Sequence, residues 1–222
     1  MNPLATGEIN LLDRLPQTTR NLKARAEQKT PEDRALAKQF GRDFFDGERR
    51  HGYGGYRYDG RWLPVARRMV EHYQLGPDAR ILDVGAAKGF LMHDFLQVLP
   101  GATVRGIDVS TYAKENAHGN TGNLIDIGSA ESLPYPDKHF DLVVSINSIH
   151  NLPLERCKQA LREMERVSRA HKFVTIDAWR TEEEHERLLA WILTAETYMS
   201  VPDWVKLFRE VGYTGDYWWF IP

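Results

Sequence analysis

The stretch Arg80 to Phe90, R-I-L-D-V-G-A-A-K-G-F, constrains the fold more than any other. Ile81, Leu82 and Val84 make a short apolar run suited to a buried strand. Gly85, Ala87 and Gly89 follow at once, and then a helical pattern takes over at Phe90, Leu91, Phe95, Leu96 and Val98. Strand, small-residue loop and helix together let backbone approach a ligand at a helix N-terminus. Asp83 sits at the strand's carboxyl end, where open α/β sheets bind their ligands. The small residues fall as G-x-A-x-G, and Phe90 takes the place of the third glycine of a dinucleotide fingerprint. No G-x-x-x-x-G-K-[ST] phosphate loop is present. An ordinary strand-turn-helix corner, with glycines for packing, is the plain alternative.

Two further stretches extend the pattern. Thr103 to Ile107 reads as the next strand, and Asp108 ends it at the spacing that places a carboxylate on a ribose diol. Gly128 to Asn151 contains L-P-Y-P-D, Leu133 to Asp137, followed by the buried strand F-D-L-V-V-S-I, Phe140 to Ile146. This set resembles the class I S-adenosylmethionine-dependent methyltransferases, from about Trp62 to Ala178. The resemblance implies an α/β fold: a Rossmann-like, doubly wound, mostly parallel sheet with flanking helices. It implies S-adenosylmethionine as cofactor. Asp83, Gly85, Ala87 and Gly89 would surround its methionine and ribose portions, and Asp108 with Val109 its ribose hydroxyls. Ser129 and Ala130 would lie by the adenine, and Asn147 on the pocket floor. Ser129 stands where the family often has aspartate, and Ala87 where it often has glycine. The family sheet usually finishes with a two-stranded C-terminal hairpin. This chain has room for one strand after Gly212, so a shortened hairpin is expected.

The chain has 222 residues, 42% hydrophobic and 27% charged, which suits one well-buried core. A formal net charge of −2 argues against bulk nucleic-acid binding. The single cysteine, Cys157, excludes an internal disulfide and a cysteine-based zinc cluster, and no metal site is expected. No run reaches membrane-spanning length, and Met1 to Leu15 lacks the features of a secretion signal. A cytoplasmic enzyme with no membrane partner is the expectation.

The sequence divides into an N-terminal extension, residues 1–61, and the methyltransferase-like part, 62–222. In residues 1–29, Leu4, Ile9, Leu11, Leu12, Leu15 and Leu22 make either a short docked helix or a loosely held arm. Thr30-Pro31-Glu32-Asp33 is a helix start, and the helix is predicted to reach Phe45, with Leu36, Phe40 and Phe44 on one face. Phe44 to Trp62 holds five glycines and three tyrosines among arginines. It reads either as a flap facing substrate through Tyr53, Tyr56, Tyr58 and Arg57, or as a surface loop covering a sheet edge. Helices are predicted over Trp62–Tyr73, Thr111–Ala117, Glu155–Val167, Thr181–Met199 and Pro202–Val211. Strands are predicted over Asn123–Ile127, Lys172–Ile176 and Tyr213–Ile221. An unshielded last strand, rich in aromatics from Tyr217 to Phe220, would invite a homodimer.

For chemistry, the resemblance implies in-line methyl transfer to an oxygen or nitrogen nucleophile. His150, after the fourth strand, is the candidate base, the bland alternative being a histidine that packs or caps. Lys88 either meets the cofactor's carboxylate or lies on the surface of the helix's first turn. Asp177 and Glu196 are candidates for the same cleft and would suit a cationic acceptor, whereas Arg49, Arg50, Arg57 and Arg61 would suit an acidic one. A small-molecule acceptor is expected. An enzyme acting on protein or RNA, or a protein of this fold that transfers another group or is non-catalytic, remains open.

Overall fold

The computed structural model describes residues 7–16 and 29–222. Its centre is a seven-stranded sheet in the order β3-β2-β1-β4-β5-β6, with β7 also on β5, and every pair is parallel. The strands are β1 (Arg80–Val84), β2 (Thr103–Asp108), β3 (Ile125–Ile127), β4 (Phe140–Ile146), β5 (Ser168–Trp179), β6 (Met199–Ser200) and β7 (Asp216–Phe220). The strands alternate between two apolar layers: Ile81 packs with Met69, Phe95 and Phe173 on one face, Leu82 with Leu161, Val174 and Trp204 on the other. Order reverses between β1 and β4, which opens the crevice at the strands' carboxyl ends where ligands bind.

The helices are α1 (Pro31–Ala37), α2 (Arg42–Asp46), α3 (Leu63–His72), α4 (Phe90–Val98), α5 (Thr111–Glu115), α6 (Leu154–Val167), α7 (Glu182–Trp191) and α8 (Val201–Val211). Thr30 caps α1 in a reciprocal box with Asp33. The single helix predicted to Phe45 is broken in two. Phe40 takes a left-handed backbone, φ 49, and Gly41 starts the next helix, so the chain bends over the crevice. The helix predicted to Met199 ends at Trp191. Lys29 donates to the carbonyls of Ala190 and Ile192, and Arg34 to that of Ile192, so cations from the N-terminal region satisfy the helix end. Residues 192–198 then cross back, and the amides of Glu196 and Thr197 donate to the His150 carbonyl at 3.0 and 2.9 Å.

The C-terminal part has the one strand after Gly212 for which the sequence leaves room, but its edge differs from expectation. β7 lies against β5 from Phe173–Asp216 to Asp177–Phe220, and β6 pairs with Ala178 and Trp179, so no antiparallel hairpin forms. The outer edge of β7 is not open. Tyr217 donates to the Gly7 carbonyl and accepts from Ile9, both at 3.0 Å, and Gly7 donates to Asp216 Oδ1 at 2.8 Å. Trp219 is buried beside Phe208, and Trp191 at the end of α7 covers Phe220, ring centroids 5.9 Å apart. The exposed edge that motivated a homodimer is therefore occupied by the chain's own N-terminal segment. Leu11 is fully buried and Ile9, Leu12 and Leu15 pack beside it in a strand-and-turn arrangement rather than the helix considered above. Leu4 and Leu22 lie outside the described residues.

Candidate active site

A cavity of about 490 Å³ opens at the carboxyl ends of β1, β2 and β4. Its floor is made by loops that strand geometry fixes. The amides of Gly85 and Ala86 both donate to the Ile107 carbonyl, which draws the loop after β1 against β2. Gly85 has φ +85, and a Cβ there would meet Ser148 Oγ at 1.9 Å, so only glycine fits. Ala87 has φ 48 without that freedom. Asp108 accepts from the Ala87 amide at 2.7 Å and from the Ser110 amide at 2.8 Å, which aims its carboxylate. Ser129 and Ala130 line the wall after β3, and Asn147, with φ 51, the floor after β4. The Ser129 hydroxyl is buried and makes no hydrogen bond among the described residues.

The roof comes from the N-terminal extension. Phe40, Phe44, Phe45 and Tyr53 line it, with Phe44 packed edge-on against Phe40, Phe45 and Tyr53 at 5.1 Å in each case. Gly52 is tied to this packing, since a Cβ there would lie 2.0 Å from the Phe44 carbonyl oxygen. At the far end, Lys38 on the roof pairs with Glu196 at 2.8 Å. Arg156, held by Glu131, completes that rim.

Of the residues singled out in the sequence, Gly85, Ala87, Asp108, Val109, Ser129, Ala130, Asn147, Glu196 and Tyr53 come together on this cavity. Others do not. Asp83 is 5% exposed and lies behind the wall, and Gly89 starts α4 in a left-handed conformation. His150 is buried behind Ile149 and Asn151, its Nε2 3.5 Å from Asp177 Oδ2 and its Nδ1 unpaired. Asp177 is likewise buried and faces His150 rather than the cavity. Tyr56 stacks on Phe90 at 4.5 Å, Tyr58 bonds Asp94 at 2.5 Å and stacks on His118, and Arg57 is exposed. Lys88 is not a surface residue: it is 6% exposed and bonded to the roof. The reading of the residues missed Lys38, Asn151 and Arg156, and it took Phe40 and Phe44 only as a helix face. Gln39-Phe40-Gly41 was the available signal, since a glycine at that point allows the helix break that turns Phe40 inward.

Two carboxyls are buried at this end of the sheet, Asp108 on the cavity and Asp83 behind its wall. Burial pushes the Asp83 carboxyl up to about 7, with the neighbouring charge of Asp108 adding to it. Burial also raises Asp108, against the hydrogen bonds from Ser110 and Ala87 that hold it down. Among the described residues no lysine or arginine pairs with either. Burial pushes His150 down and Asp177 up, which leaves the imidazole neutral near pH 7.

The methyltransferase-domain family matches residues 82–176, the span from β1 to β5. The chain belongs to the class I S-adenosylmethionine-dependent methyltransferases. It is 32% identical over 171 residues to the sarcosine/dimethylglycine N-methyltransferase of Halorhodospira halochloris, covering 67% of this chain and 58% of that protein. It is 30% identical over 147 residues to the Arabidopsis thaliana tRNA (carboxymethyluridine(34)-5-O)-methyltransferase, covering 65% of this chain and 34% of the relative. The chain thus spans between a third and three fifths of these two relatives. The YcgJ protein of Bacillus subtilis shares the fold, with a TM-score of 0.53 and 22% identity over 66% of each chain.

The residues of this family member fit its cofactor, S-adenosylmethionine. The Asp108 carboxylate on the cavity, which no lysine or arginine among the described residues pairs, and the buried Ser129 hydroxyl, which has no hydrogen bond among the described residues, are placed to meet the hydroxyl and amine groups of such a ligand. Among the described residues no cluster of histidine, cysteine and carboxylates could hold a metal ion, and no helix is long and apolar enough to cross a membrane.

Proposed function

We propose that the protein transfers a methyl group to an oxygen or nitrogen of a small polar acceptor enclosed between the β-strand loops and the aromatic roof. The observation that carries this reading is the roofed cavity. One volume, of a size usual for small-molecule sites, joins the Gly85–Asp108 loops to a rim bearing charges of both signs. S-adenosylmethionine supplies an electrophilic methyl on a sulfonium when bound. Asp108 would hold the ribose hydroxyls, Ser129 and Ala130 the adenine, and the loop from Gly85 to Ala87 the methionine portion. The roof aromatics exclude water and restrict the acceptor's approach, which is the main catalytic contribution open to a protein that need not activate its electrophile.

Lys38, Glu196 and Arg156 would orient the acceptor through its own charges. His150 takes a supporting part, since its carbonyl holds the Glu196 amide and so fixes that segment in the wall. The name of the Halorhodospira halochloris relative, which acts on small amino acids, agrees with a charged small acceptor. The name of the Arabidopsis thaliana relative favours tRNA instead. A polynucleotide needs an open basic groove, whereas here the rim cations are each paired with a carboxylate.

The test is production of S-adenosylhomocysteine with a panel of small amines, carboxylates and zwitterions, run beside bulk tRNA. Turnover with a charged small acceptor is expected. Turnover with tRNA alone would overturn the acceptor assignment, and failure of S-adenosylmethionine to raise the melting temperature would overturn the cofactor assignment.

A further inference from the structure

Lys88 is out of place for a lysine. It sits in the loop after β1, between Ala87, whose amide holds Asp108, and Gly89, which starts α4. Lysine is rarely so buried unless it is paired, and here only 6% of the residue is exposed. Its ammonium does not line the cavity. It donates to Asp46 Oδ2 at 2.5 Å and to the Tyr56 carbonyl at 3.1 Å. The same Asp46 oxygen accepts from the Tyr112 hydroxyl at 2.7 Å, and Oδ1 accepts from the Tyr56 amide at 3.2 Å. Four elements meet at one carboxylate: the cofactor loop, α5, the last residue of α2, and the glycine-rich segment.

The consequence lies one and two residues away. Asp46 directly follows Phe44 and Phe45, which line the roof, and Tyr56 stacks on Tyr53, another roof residue, at 4.2 Å. Beyond Lys88 the roof has smaller ties. The Ser110 hydroxyl donates to the Phe40 carbonyl at 2.5 Å, and the Lys38–Glu196 pair sits on the exposed rim. α2 is five residues long and cannot hold its place by helical stability. Lys88 is thus the buried ionic tie between the roof and the loop whose backbone meets the cofactor.

We propose that Lys88 is a positioning residue that locks the aromatic roof to the cofactor loop, so that ordering of the loop and closure of the roof form one equilibrium. The proposal rests on the reading that this loop binds S-adenosylmethionine. It predicts that cofactor alone, without acceptor, closes the roof.

The experiment compares wild type with Lys88→Met, Lys88→Arg and Asp46→Asn. Three quantities are read: proteolysis within residues 47–60 with and without S-adenosylmethionine, the cofactor dissociation constant by calorimetry, and the melting temperature. In wild type the cofactor is expected to slow cleavage. In Lys88→Met, cleavage without ligand should speed up, most of the cofactor-dependent protection should vanish, and the dissociation constant should rise about tenfold. Lys88→Arg should recover part of both. A Lys88→Met protein that melts lower yet keeps wild-type cleavage and wild-type protection would overturn the proposal and leave the lysine a structural ion pair. If wild type binds no S-adenosylmethionine, the cofactor reading falls. The ligand-free cleavage rates still decide whether Lys88 holds the roof. Should Lys88→Met fail to fold, Asp46→Asn, which keeps the shape of the carboxylate, carries the same comparison.

Discussion

The floor and the roof of the cavity are built on different physical principles. The floor is backbone. It consists of the ends of parallel strands in fixed register, and its acid, Asp108, is aimed by two main-chain amides. The roof is side chain. Two short helices and a glycine-rich segment present aromatic rings to one another and are tied down by a few polar contacts. The strand ends of such a floor are formed before any ligand arrives, because the sheet's cooperativity sets them, and only the loop after β1 is tied to the roof, through Lys88. A roof of this kind belongs to the low-stability end of the molecule, where opening costs less than global unfolding. The division matches the work the proposed function gives each: the floor would meet an invariant cofactor, and the roof would admit and release an acceptor.

The sharpest break in that comparison is Asp108→Ala. It removes a preformed floor contact that two ribose hydroxyls would otherwise make, and charge-assisted hydrogen bonds of this sort contribute about 1.5–3 kcal/mol each. Cofactor affinity should fall on the order of a hundredfold by calorimetry, with roof cleavage in the ligand-free protein unchanged. An unaltered dissociation constant would remove Asp108 from the site.

Asp83 tests whether the floor carries stored electrostatic cost. Its folded pKa of about 7 lies above the ordinary carboxyl value. Below about pH 4, folded and unfolded chains both hold the proton. As pH rises toward 7, the folded chain keeps a proton that the unfolded chain has released, so stability falls with pH. Above 7 the buried charge is present at full cost. Burial raises Asp108 too, and its slope has the same sign. Asp83→Asn should therefore stabilise the ligand-free protein by about 2 kcal/mol at pH 8 and by about half that at pH 5.5. Urea unfolding at the two pH values reads the difference, and equal gains would show that the carboxyl titrates normally.

The roof should respond in the opposite sense to the floor. Phe44→Ala trims a cavity-lining ring that lies outside the loops assigned to cofactor. It should leave cofactor affinity within about threefold and raise the acceptor KM about tenfold, a difference near 1.4 kcal/mol. Equal losses for cofactor and acceptor would mean that the two ligands share the roof.

How much of this was legible follows the same line. The floor could be read because its chemistry is local in sequence. Asp83 to Gly89 is one continuous strand end and loop, Asp108 ends β2, and Phe140–Ile146 is β4 itself, each strand marked by its apolar residues. The roof could not be read in the same way. Phe40 bends the chain because of tertiary demand, not local propensity, and the helical period of Leu36, Phe40 and Phe44 pointed to a continuous helix instead. Lys88 looked like a surface residue because its partner is forty-two positions earlier. The sequence predicts Glu196 within a helix, yet Lys29 and Arg34 end that helix from a distance of more than a hundred and fifty positions. Interactions that close over such separations leave no periodicity to detect. The same reason hid the pairing of residues 7–9 with β7, which covers the edge that otherwise suggested a dimer.

The smallest expected effect concerns Ala87, which with Asn147 is one of two floor residues other than glycine held left-handed. Ala87 holds φ 48, a left-handed conformation that costs a residue with a Cβ about 1–2 kcal/mol. Glycine there would relieve the strain but would lose more chain entropy on folding, about 0.5–1 kcal/mol. The two terms nearly offset, so Ala87→Gly should stabilise the protein by about 0.5 kcal/mol. The amide that donates to Asp108 belongs to the backbone and survives the substitution. If the floor is preformed by the sheet, the cofactor dissociation constant should stay within about twofold. If the alanine's restricted backbone is what keeps the loop in place, glycine should weaken cofactor binding even as the melting temperature rises. Calorimetry and thermal melting on the same preparation separate the two. A stabler protein that binds worse would show that the methyl group pre-orders the loop, and the floor would then depend on a side chain as the roof does.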